Sequence, residues 1–469
     1  MPVSTCLKAQ RVRGVFCLSI VAAMVILAGC GSSSNNNSGN GGGGGTQTAA
    51  STPSGGGATT TSGGGSGSGS TNSTNSTNST SSCGPKPGVK ATGTPIALGA
   101  INTKQPGTDF TDIANMAAAY FACVNANGGI NGHPVHLYAE TDQTQPAQIE
   151  GEAHKLVGND HVVGIVGTSD VIECSVDHAF WAKTGIYELG AGIDPACWAT
   201  ANSASVNMGP RYSSDGATQY VLTLHPNKIV FDQSNVPGTG YIAGGPTAVA
   251  KAAGVSIKTE TDNVPINDAS SVALRLVQDA GSDGAVVLNF TPPEALVILQ
   301  AAQKLHLEDR VKAWACSTPC NTDFLAKALG SEWNGKFFVN AELNPPDVAT
   351  GPEISLYKAI LAKYGSSVSG GIGSFSQMGF LDAELATHAL ETVKGKYTIK
   401  SVNAAFRNIK NAKTELLCKP FTYGNYSEHI PNNTDYTVTP KDGKMALAKG
   451  CTAISNADPQ IAKYHKIAG

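Results

Sequence analysis

Apolar residues over positions 95–142 follow three patterns in turn. The run Pro95–Ile101 has the length of a buried strand, whereas apolar residues from Ile113 to Val124 recur at the spacing of one helix face. The stripe comprises Ile113, Met116, Ala117, Tyr120, Phe121 and Val124. At Val135–Glu140 apolar and polar residues alternate, as in a half-buried strand. Strand, helix and strand of these lengths predict a right-handed βαβ unit with parallel strands.

The ends of this helix are predicted from capping residues. It is predicted to begin near Asp109 or Thr111, either of which can accept hydrogen bonds from the free N–H groups of the first turn. It is predicted to end at Gly128 and Gly129, because glycine tolerates the left-handed conformation that closes a helix. Parallel sheets often bind ligands beyond the carboxyl ends of their strands. The loop Asn102–Asp109 and the segment after the second strand lie at such ends. They are therefore candidates for a ligand site, and the alternative is that they only connect strands and helices.

Strands and helices continue to alternate after this unit, in two series. The first is predicted to contain helix Ala147–Val157, strand Val162–Val166, helix Cys174–Lys183, strand Gly185–Leu189 and a last strand around Ser205–Met208. The second contains strand Lys228–Gln233, helix Ile242–Ala253, strand Val255–Glu260, helix Ser270–Ala280, strand Gly284–Phe290, helix Pro293–Lys304, strand Val311–Ala315 and strand Lys336–Ala341. Helices follow at Glu353–Tyr364, Phe375–Val393 and Ser401–Ile409.

Each series is long enough for an α/β sheet covered on both faces, and residues 83–469 exceed a typical single core. We therefore expect two domains. The helices after residue 353 are expected to return to the first domain, and the tail beyond Cys418 to cross again. The expected boundaries place 83–213 and 341–418 in lobe I, and 214–340 and 419–469 in lobe II.

Residues 1–30 have the composition of an export signal. A basic start precedes an apolar run over Val15–Ala28, which is too short for a comfortable membrane span. The tetrapeptide Leu27-Ala28-Gly29-Cys30 resembles the lipobox of bacterial lipoproteins, which implies cleavage before Cys30 and acylation of that cysteine. An ordinary signal peptide with a coincidental cysteine is the alternative.

Residues 31–82 are almost entirely Gly, Ser, Asn and Thr, with three consecutive Ser-Thr-Asn repeats and no charged residue. Such a segment cannot offset the entropy cost of ordering by burying apolar surface, so we expect a disordered linker. Its root-mean-square reach is roughly 40 Å, from 5–6 Å times the square root of its length. A glycosylated, mucin-like stalk is the alternative.

Eight cysteines remain once the signal and the acylated cysteine are set aside. An even number in an exported chain indicates disulfide bonds, although sequence alone allows about 105 pairings. The predicted positions of helices, strands and loops narrow them to Cys83–Cys123, Cys174–Cys197, Cys316–Cys320 and Cys418–Cys451. A zinc site is the weaker interpretation, because the sequence contains no Cys-x-x-Cys pair.

Charge and motifs argue against several other functions. The formal net charge is −3 and Lys and Arg are scattered, so neither a nucleic acid nor an anionic membrane surface is indicated as a partner. The motif Gly238-x-Gly240-x-x-Ala243, with Asp262 further on, imitates a dinucleotide fingerprint, and a NAD-dependent oxidoreductase is a remote alternative. The sequence contains neither a Gly-x-Ser-x-Gly elbow nor a His-Glu-x-x-His motif, and His133 and His136 alone would leave a metal site incomplete. We therefore expect no enzyme activity and no cofactor.

The segment Asn125–Val135, whose core is an Asn-Gly-Gly-Ile-Asn-Gly turn, resembles the opening of the leucine/isoleucine/valine-binding protein family. Members of that family are extracytoplasmic solute-binding proteins of ABC importers. The likeness continues through Gly164–Ser169, Gly190–Pro195 and Phe375–Leu390 and covers most of residues 94–420. It implies the type I periplasmic binding protein fold, in which two Rossmann-like α/β lobes with parallel sheets are joined by three hinge crossovers and close on one ligand.

The resemblance also implies which loops hold the ligand. In the family, the loops after the third and fourth strands of the first lobe fix the α-carboxylate and α-ammonium of an amino acid. By position these are Thr168 and Ser169, then Ala191 and Ile193. Hydroxyl and backbone N–H groups at a helix N-terminus suit a carboxylate. Thr168 and Ser169 keep that chemistry, whereas Ile193 stands where the family has a threonine.

Other positions depart from the family pattern. Gln105 stands where the family has an aromatic residue in the first loop, and Val236 lies near the position of its second-lobe tyrosine. Ser317 or Thr318 lies near the position of the acidic residue that pairs with the ligand ammonium in the family. A buried ammonium without a carboxylate partner is costly. The resemblance therefore carries over the binding fold more firmly than the amino-acid ligand.

Asn289, Phe290 and Thr291 end a second-lobe strand and are expected to offer the cleft a stacking surface and neutral hydrogen bonds. The sequence thus predicts a monomeric solute-binding protein, lipid-anchored to the outer face of the cytoplasmic membrane. We expect it to hand a small polar or amphipathic molecule, such as an amino acid or an amide, to an ABC permease. A ligand-sensing lipoprotein of the same fold that signals to a membrane receptor is the alternative.

Overall fold

The computed structural model describes residues 83–464. The expected signal peptide, the acylation of Cys30 and the linker 31–82 lie outside the described residues, as does the segment 465–469. The described part is an α/β fold built on two sheets with helices packed against them. Within residues 83–464, no helix combines the length and the apolar character that crossing a membrane requires.

The first sheet consists of β1 (Ile96–Gln105), β2 (Thr108–Asp109), β3 (Val135–Asp142), β4 (Ile165–Thr168), β5 (Glu188–Gly190) and β6 (Ser203–Ser205). Five strands run parallel in the order β3, β1, β4, β5, β6, and β2 pairs antiparallel with the end of β1. The helices of this lobe are α1 (Asp112–Ala126), α2 (Pro146–Gly158), α3 (Glu173–Thr184), α9 (Pro352–Tyr364), α10 (Ser374–Glu391) and α11 (Ile399–Arg407). The predicted βαβ unit is present as β1, α1 and β3, with its strands parallel.

The second sheet consists of β7 (Lys228–Ser234), β8 (Ser256–Asp262), β9 (Ala285–Asn289), β10 (Ala313–Cys316), β11 (Phe337–Ala341), β12 (Thr434–Lys441) and β13 (Lys444–Ala453). The order is β8, β7, β9, β10, β11, β12, β13. Its helices are α4 (Gly209–Leu222), α5 (Gly244–Ala252), α6 (Ala269–Ala280), α7 (Pro292–Lys304), α8 (Asp323–Leu329) and α12 (Pro459–Tyr464). The sheet is mostly parallel, as expected, whereas β12 and β13, which the sequence pattern did not predict, pair antiparallel. The tail forms a hairpin here, and a hairpin is antiparallel by construction.

The chain passes between the two sheets three times. It leaves the first sheet after β6 and enters α4, which packs against β9, β10 and β11. It returns after β11 to α9, and it crosses again between α11 and β12. The two-lobed arrangement with three connections is therefore confirmed. The strand expected around Ser205–Met208 is displaced, because β6 ends at Ser205 and α4 already begins at Gly209.

Helix α1 is the element around which the first lobe packs, and it lies against α9 and α10. All six residues of its predicted apolar stripe are at most 2% exposed. The predicted cap is wrong: Thr111 precedes the helix with helical backbone angles and makes no side-chain hydrogen bond to it. Asp109 Oδ1 instead accepts from the Thr111 backbone N–H at 2.9 Å, which closes a local turn before the helix begins.

The contact between α1 and α10 requires a glycine at position 379. A Cβ added to Gly379 would overlap the backbone carbonyl oxygen of Ile113 in α1. Because a carbonyl cannot move without its helix, we expect Gly379→Ala to lower the free energy of unfolding by about 1–3 kcal/mol. Urea unfolding of the purified protein measures this.

The matched control for that variant is Gly151→Ala in α2, where an added Cβ meets no atom within 4 Å. Alanine is favoured over glycine in a helix by about 1 kcal/mol, so this control is expected to be neutral or stabilising. Equal losses in the two variants would mean that the close approach of α1 and α10 does not determine the effect.

Four disulfide bonds link the pairs named from the sequence, namely Cys83–Cys123, Cys174–Cys197, Cys316–Cys320 and Cys418–Cys451. Their Cα–Cα distances are 5.1–6.0 Å. Cys83–Cys123 attaches the start of the described chain to the end of α1, and Cys418–Cys451 ties the third crossover to β13. Such crosslinks reduce the conformational freedom of the unfolded chain.

Candidate functional site

The carboxyl ends of the parallel strands of the two lobes face each other across a narrow cleft. The hydrogen bonds that join the lobes here include one from the Tyr241 hydroxyl to the Ile193 carbonyl oxygen and one from Thr291 Oγ1 to the Gly107 carbonyl oxygen at 3.0 Å. The lobes are therefore in direct contact, as expected of a closed two-lobed binding protein.

Deep in this cleft lie two small cavities of about 40 and 50 Å³. Eight of the residues predicted from sequence line them: Ser169, Ala191, Ile193, Val236, Asn289, Phe290, Thr291 and Thr318. Phe110, Pro210, Pro319 and Phe375, which the prediction did not include, also line these cavities. Among the described residues, no charged side chain lines either cavity.

The two hydroxyls proposed for a ligand carboxylate have different roles. Thr168 Oγ1 donates to the Ile101 carbonyl oxygen at 2.8 Å and accepts from the Ile101 N–H at 3.2 Å, so the backbone of β1 already occupies it. Ser169 is 1% exposed, and its hydroxyl finds no hydrogen-bond partner among the described residues. Of these two residues, Ser169 therefore presents the free hydroxyl to the deep cleft.

The second-lobe positions supply no counter-charge for an ammonium. Ser317 is fully buried, and its hydroxyl donates to Asn289 Oδ1 at 2.6 Å. Thr318 Oγ1 lies 3.2 Å from Ser374 Oγ and accepts from the Glu342 N–H at 3.3 Å. The deep cleft thus lacks the charged partners that an amino-acid zwitterion needs.

A much larger cavity, about 440 Å³, opens beside the deep cleft and also lies between the lobes. The first lobe contributes residues 105–112 and 369–376, and the second contributes residues 291–294 with Thr322 and Phe324. Of the residues predicted from sequence, Gln105 and Thr291 line it. Its size falls within the range of small-molecule sites.

Carboxylates form part of the wall of this large cavity. Asp112 accepts from the N–H groups of Ser369 at 2.8 Å and Gly370 at 2.6 Å, and Glu294 accepts from the Ile266 N–H at 2.7 Å. These bonds tie the N-termini of α1 and α7 to neighbouring loops. The sequence offered one usable signal for them, since both are acidic residues in the first turn of a helix.

Beneath the deep cleft, the first lobe buries a group of carboxylates between α3 and the sheet. Burial raises the pKa of Glu188 to about 7, with further contributions from Asp194 and Asp177 and an opposing one from a Ser203 hydrogen bond. Burial, then Glu188, raises the pKa of Glu173 well above its usual range, although Glu173 accepts from Trp181 Nε1 at 2.5 Å. Glu188 Oε2 has no partner among the described residues.

Two arrangements resemble a metal site and a cofactor site, but their residues have other roles. The sulfurs of Cys174 and Cys197 and a carboxylate oxygen of Glu188 lie within 4.8 Å of one another, but both sulfurs belong to one disulfide and cannot act as thiolate ligands. In the dinucleotide-like motif, a Cβ on Gly238 would overlap the side chain of Ile172 in the other lobe, and Asp262 pairs with Arg275. The glycine therefore serves contact between the lobes.

Several solved structures of ABC transporter proteins have a similar fold. The branched-chain amino acid ABC transporter protein of Thermus thermophilus, with bound valine, is 16% identical with a TM-score of 0.68, covering 79% of this chain and 99% of that one. A fatty acid ABC transporter substrate-binding protein of Thermomonospora curvata is 16% identical with a TM-score of 0.65, covering 80% and 97%. A 4-hydroxybenzoate complex of an R. palustris solute-binding protein is 16% identical with a TM-score of 0.64, covering 79% and 100%.

No curated protein matches the sequence. The family described as periplasmic binding protein matches residues 95–444, which span both lobes and the start of β13. That match covers well over half of the chain, and it agrees with the two sheets, the three connections and the cleft described above. The chain belongs to the periplasmic binding protein family.

Proposed function

We propose that this protein is the extracytoplasmic solute-binding component of an ABC importer, anchored through an acylated Cys30 at the outer face of the cytoplasmic membrane. It binds a small polar or amphipathic molecule between its lobes and delivers it to a permease. The observation that carries the proposal is the cavity of about 440 Å³ whose wall comes from both lobes. An occupant that contacts both lobes favours their closed arrangement, because its contacts are complete only when they meet.

The deep cleft does not suit a zwitterionic amino acid. Its two cavities together offer about 90 Å³, the sum of 40 and 50 Å³, and their lining is uncharged. Phe110, Ile193, Phe290 and Pro319 line these cavities and make their walls largely apolar. We therefore place the body of the ligand in the large cavity, with at most a small substituent reaching the Ser169 hydroxyl.

A thermal-shift screen of the purified protein against amino acids, amides, urea and aromatic compounds tests solute binding. A ligand at about one hundred times its dissociation constant adds about 2.7 kcal/mol of stability. A clear rise in melting temperature with at least one class of compound supports the proposal. Leucine, isoleucine or valine giving the largest rise would contradict the placement of the ligand outside the deep cleft.

Lobe closure is tested by Gly238→Ala. Gly238 has φ +88 and lies against Ile172 of the other lobe, so an added Cβ hinders the approach of the lobes. We expect the dissociation constant of any ligand found in the screen to rise tenfold or more, which corresponds to about 1.4 kcal/mol. Isothermal titration calorimetry measures the change.

The control for closure is Gly240→Ala, two residues along the same turn. A Cβ at position 240 meets no atom within 4 Å, and its backbone has no positive φ. We expect the affinity of this variant to equal that of the unmodified protein. An affinity loss of the same size in both variants would show that the turn, and not contact between the lobes, determines binding.

A further inference from the structure

The wall of the large cavity has a distinctive charge pattern. Asp109, Asp112 and Glu294 line it, and among the described residues no Lys, Arg or His does so. Lys104 pairs with Asp109 at 3.6 Å on the exposed rim, which compensates one of the three charges. Asp112 and Glu294 are each 8% exposed, and no ion pair is formed by either within residues 83–464. Two buried carboxylates therefore line the cavity with backbone N–H groups among their partners and, in the part of the chain that the structure describes, with no cationic side chain paired to either.

The same cavity is lined by both apolar and polar groups. Phe324, on α8, is 45% exposed although it is a large apolar side chain, and Phe375 lines the opposite lobe. The hydroxyl of Thr108 is buried, with the residue 4% exposed, and it has no hydrogen-bond partner among the described residues. Thr108 lines both the large cavity and the deep cleft. An unpaired buried hydroxyl of this kind gains a partner when a polar ligand enters.

These observations point to the charge of the ligand. We propose that the large cavity binds an amphipathic organic cation, with an ammonium group near Asp112 and Glu294 and an apolar or aromatic body against Phe324 and Phe375. The negative charges of the carboxylates attract a cation, and the aromatic faces add a favourable cation–π contact. The inference rests on the proposed function, and it differs from the named ligands of the similar structures, since valine, fatty acids and benzoates all carry a carboxylate.

The positive N-terminal ends of helices at the cavity could favour an anion over a cation, but most of them carry an acidic residue. The first turns of α1, α7 and α8 each contain an acidic residue, which offsets the positive end of the helix. The first turn of α10 contains none. An anion would compete at that position, so the test includes a carboxylate probe.

The test uses three probes of one shape, namely benzylammonium, benzamide and benzoate, titrated by calorimetry at pH 7 in low salt. We expect benzylammonium to bind at least tenfold more tightly than benzoate, with a preference that weakens as salt is added. Benzoate binding as tightly as benzylammonium overturns the inference, while solute binding itself stands. Failure of all three probes to bind also overturns it, and the wider screen then decides the proposed function separately.

Two pairs of variants locate the effect. Glu294→Gln keeps an acceptor for the Ile266 N–H but removes the charge, and we expect three- to tenfold weaker benzylammonium binding and no loss of benzoate binding. Exposed Glu332, outside the cavity, provides the control as Glu332→Gln.

Phe324→Ala is expected to weaken benzylammonium binding by about two- to thirtyfold. Leu447→Ala is its control, since Leu447 is equally exposed, at 44%, on β13. A control that weakens binding as much as its partner variant overturns the assignment.

Discussion

Replacing Arg211 by leucine is expected to lower the free energy of unfolding by about 3–5 kcal/mol. Arg211, in α4, donates to both carboxylate oxygens of Asp458, from Nε at 2.6 Å and from Nη2 at 2.8 Å. The Asp458 side chain is fully buried, and Asp215 beside it is also buried. Burial and Asp458 raise the pKa of Asp215 well above its usual range. The variant leaves the buried Asp458 carboxylate without its cation, which is the costly outcome when one partner of a buried pair is removed.

The same variant is expected to weaken ligand binding. Arg211 Nη1 also donates to the carbonyl oxygen of Tyr241 at 2.5 Å, and the hydroxyl of Tyr241 reaches across the cleft to Ile193. Losing the arginine therefore loosens a residue that joins the lobes. Urea unfolding at pH 7 measures the stability, and Arg310→Leu, at an exposed position, is the matched control. A loss below 1 kcal/mol would show that the pair is replaceable.

Replacing Glu188 by glutamine is expected to stabilise the protein at pH 7.5 by about 1–3 kcal/mol. The pKa of this buried acid is 4.5 when exposed to water and about 7 in the fold, and each unit corresponds to about 1.4 kcal/mol. Between pH 4.5 and 7 the folded state holds more protons than the unfolded state, so stability falls as pH rises through this window. Glutamine has a similar shape and removes the penalty of a buried negative charge.

Urea unfolding from pH 4.5 to 8 checks this prediction. The unmodified protein should lose stability as pH rises through the window, and Glu188→Gln should lose less. A residual slope is expected, because burial also raises the pKa of Asp177 to about 7 and that of Asp142 to about 8. Glu332→Gln, at an exposed position, should leave the profile unchanged. A variant that is less stable than the unmodified protein at pH 7.5 would mean that the charged carboxylate is itself stabilising.

Spacing along the chain predicted the parts of the fold in which local pattern and burial agree. The stripe from Ile113 to Val124 in α1 could be predicted because one face of a helix meets one core. The β12–β13 hairpin was missed although Asp442 and Gly443, both at positive φ, form the two-residue turn typical of hairpins. Its strands carry many polar residues, so apolar spacing gave little signal.

The cleft shows a different limit of sequence reasoning. Position in the family pattern predicted Ser169 and Ile193 in the deep cleft, and the end of a strand predicted Phe290 there. Neither could show that the Thr168 hydroxyl already bonds to the backbone of Ile101. Phe324 was missed because its contribution to the cavity depends on how α8 approaches the other lobe. Contacts between lobes depend on tertiary geometry, which local spacing does not encode.

The two edge strands of the second sheet affect whether copies of the protein associate with one another at high concentration. β8 and β13 are the two edges of that sheet, and an unpaired edge invites a strand from a neighbouring molecule. β8 carries Lys258 and Glu260, joined at 2.7 Å, and β13 carries Lys444 and Lys449. Charged side chains along both edges disfavour strand addition, which helps to keep copies of the protein separate at high concentration.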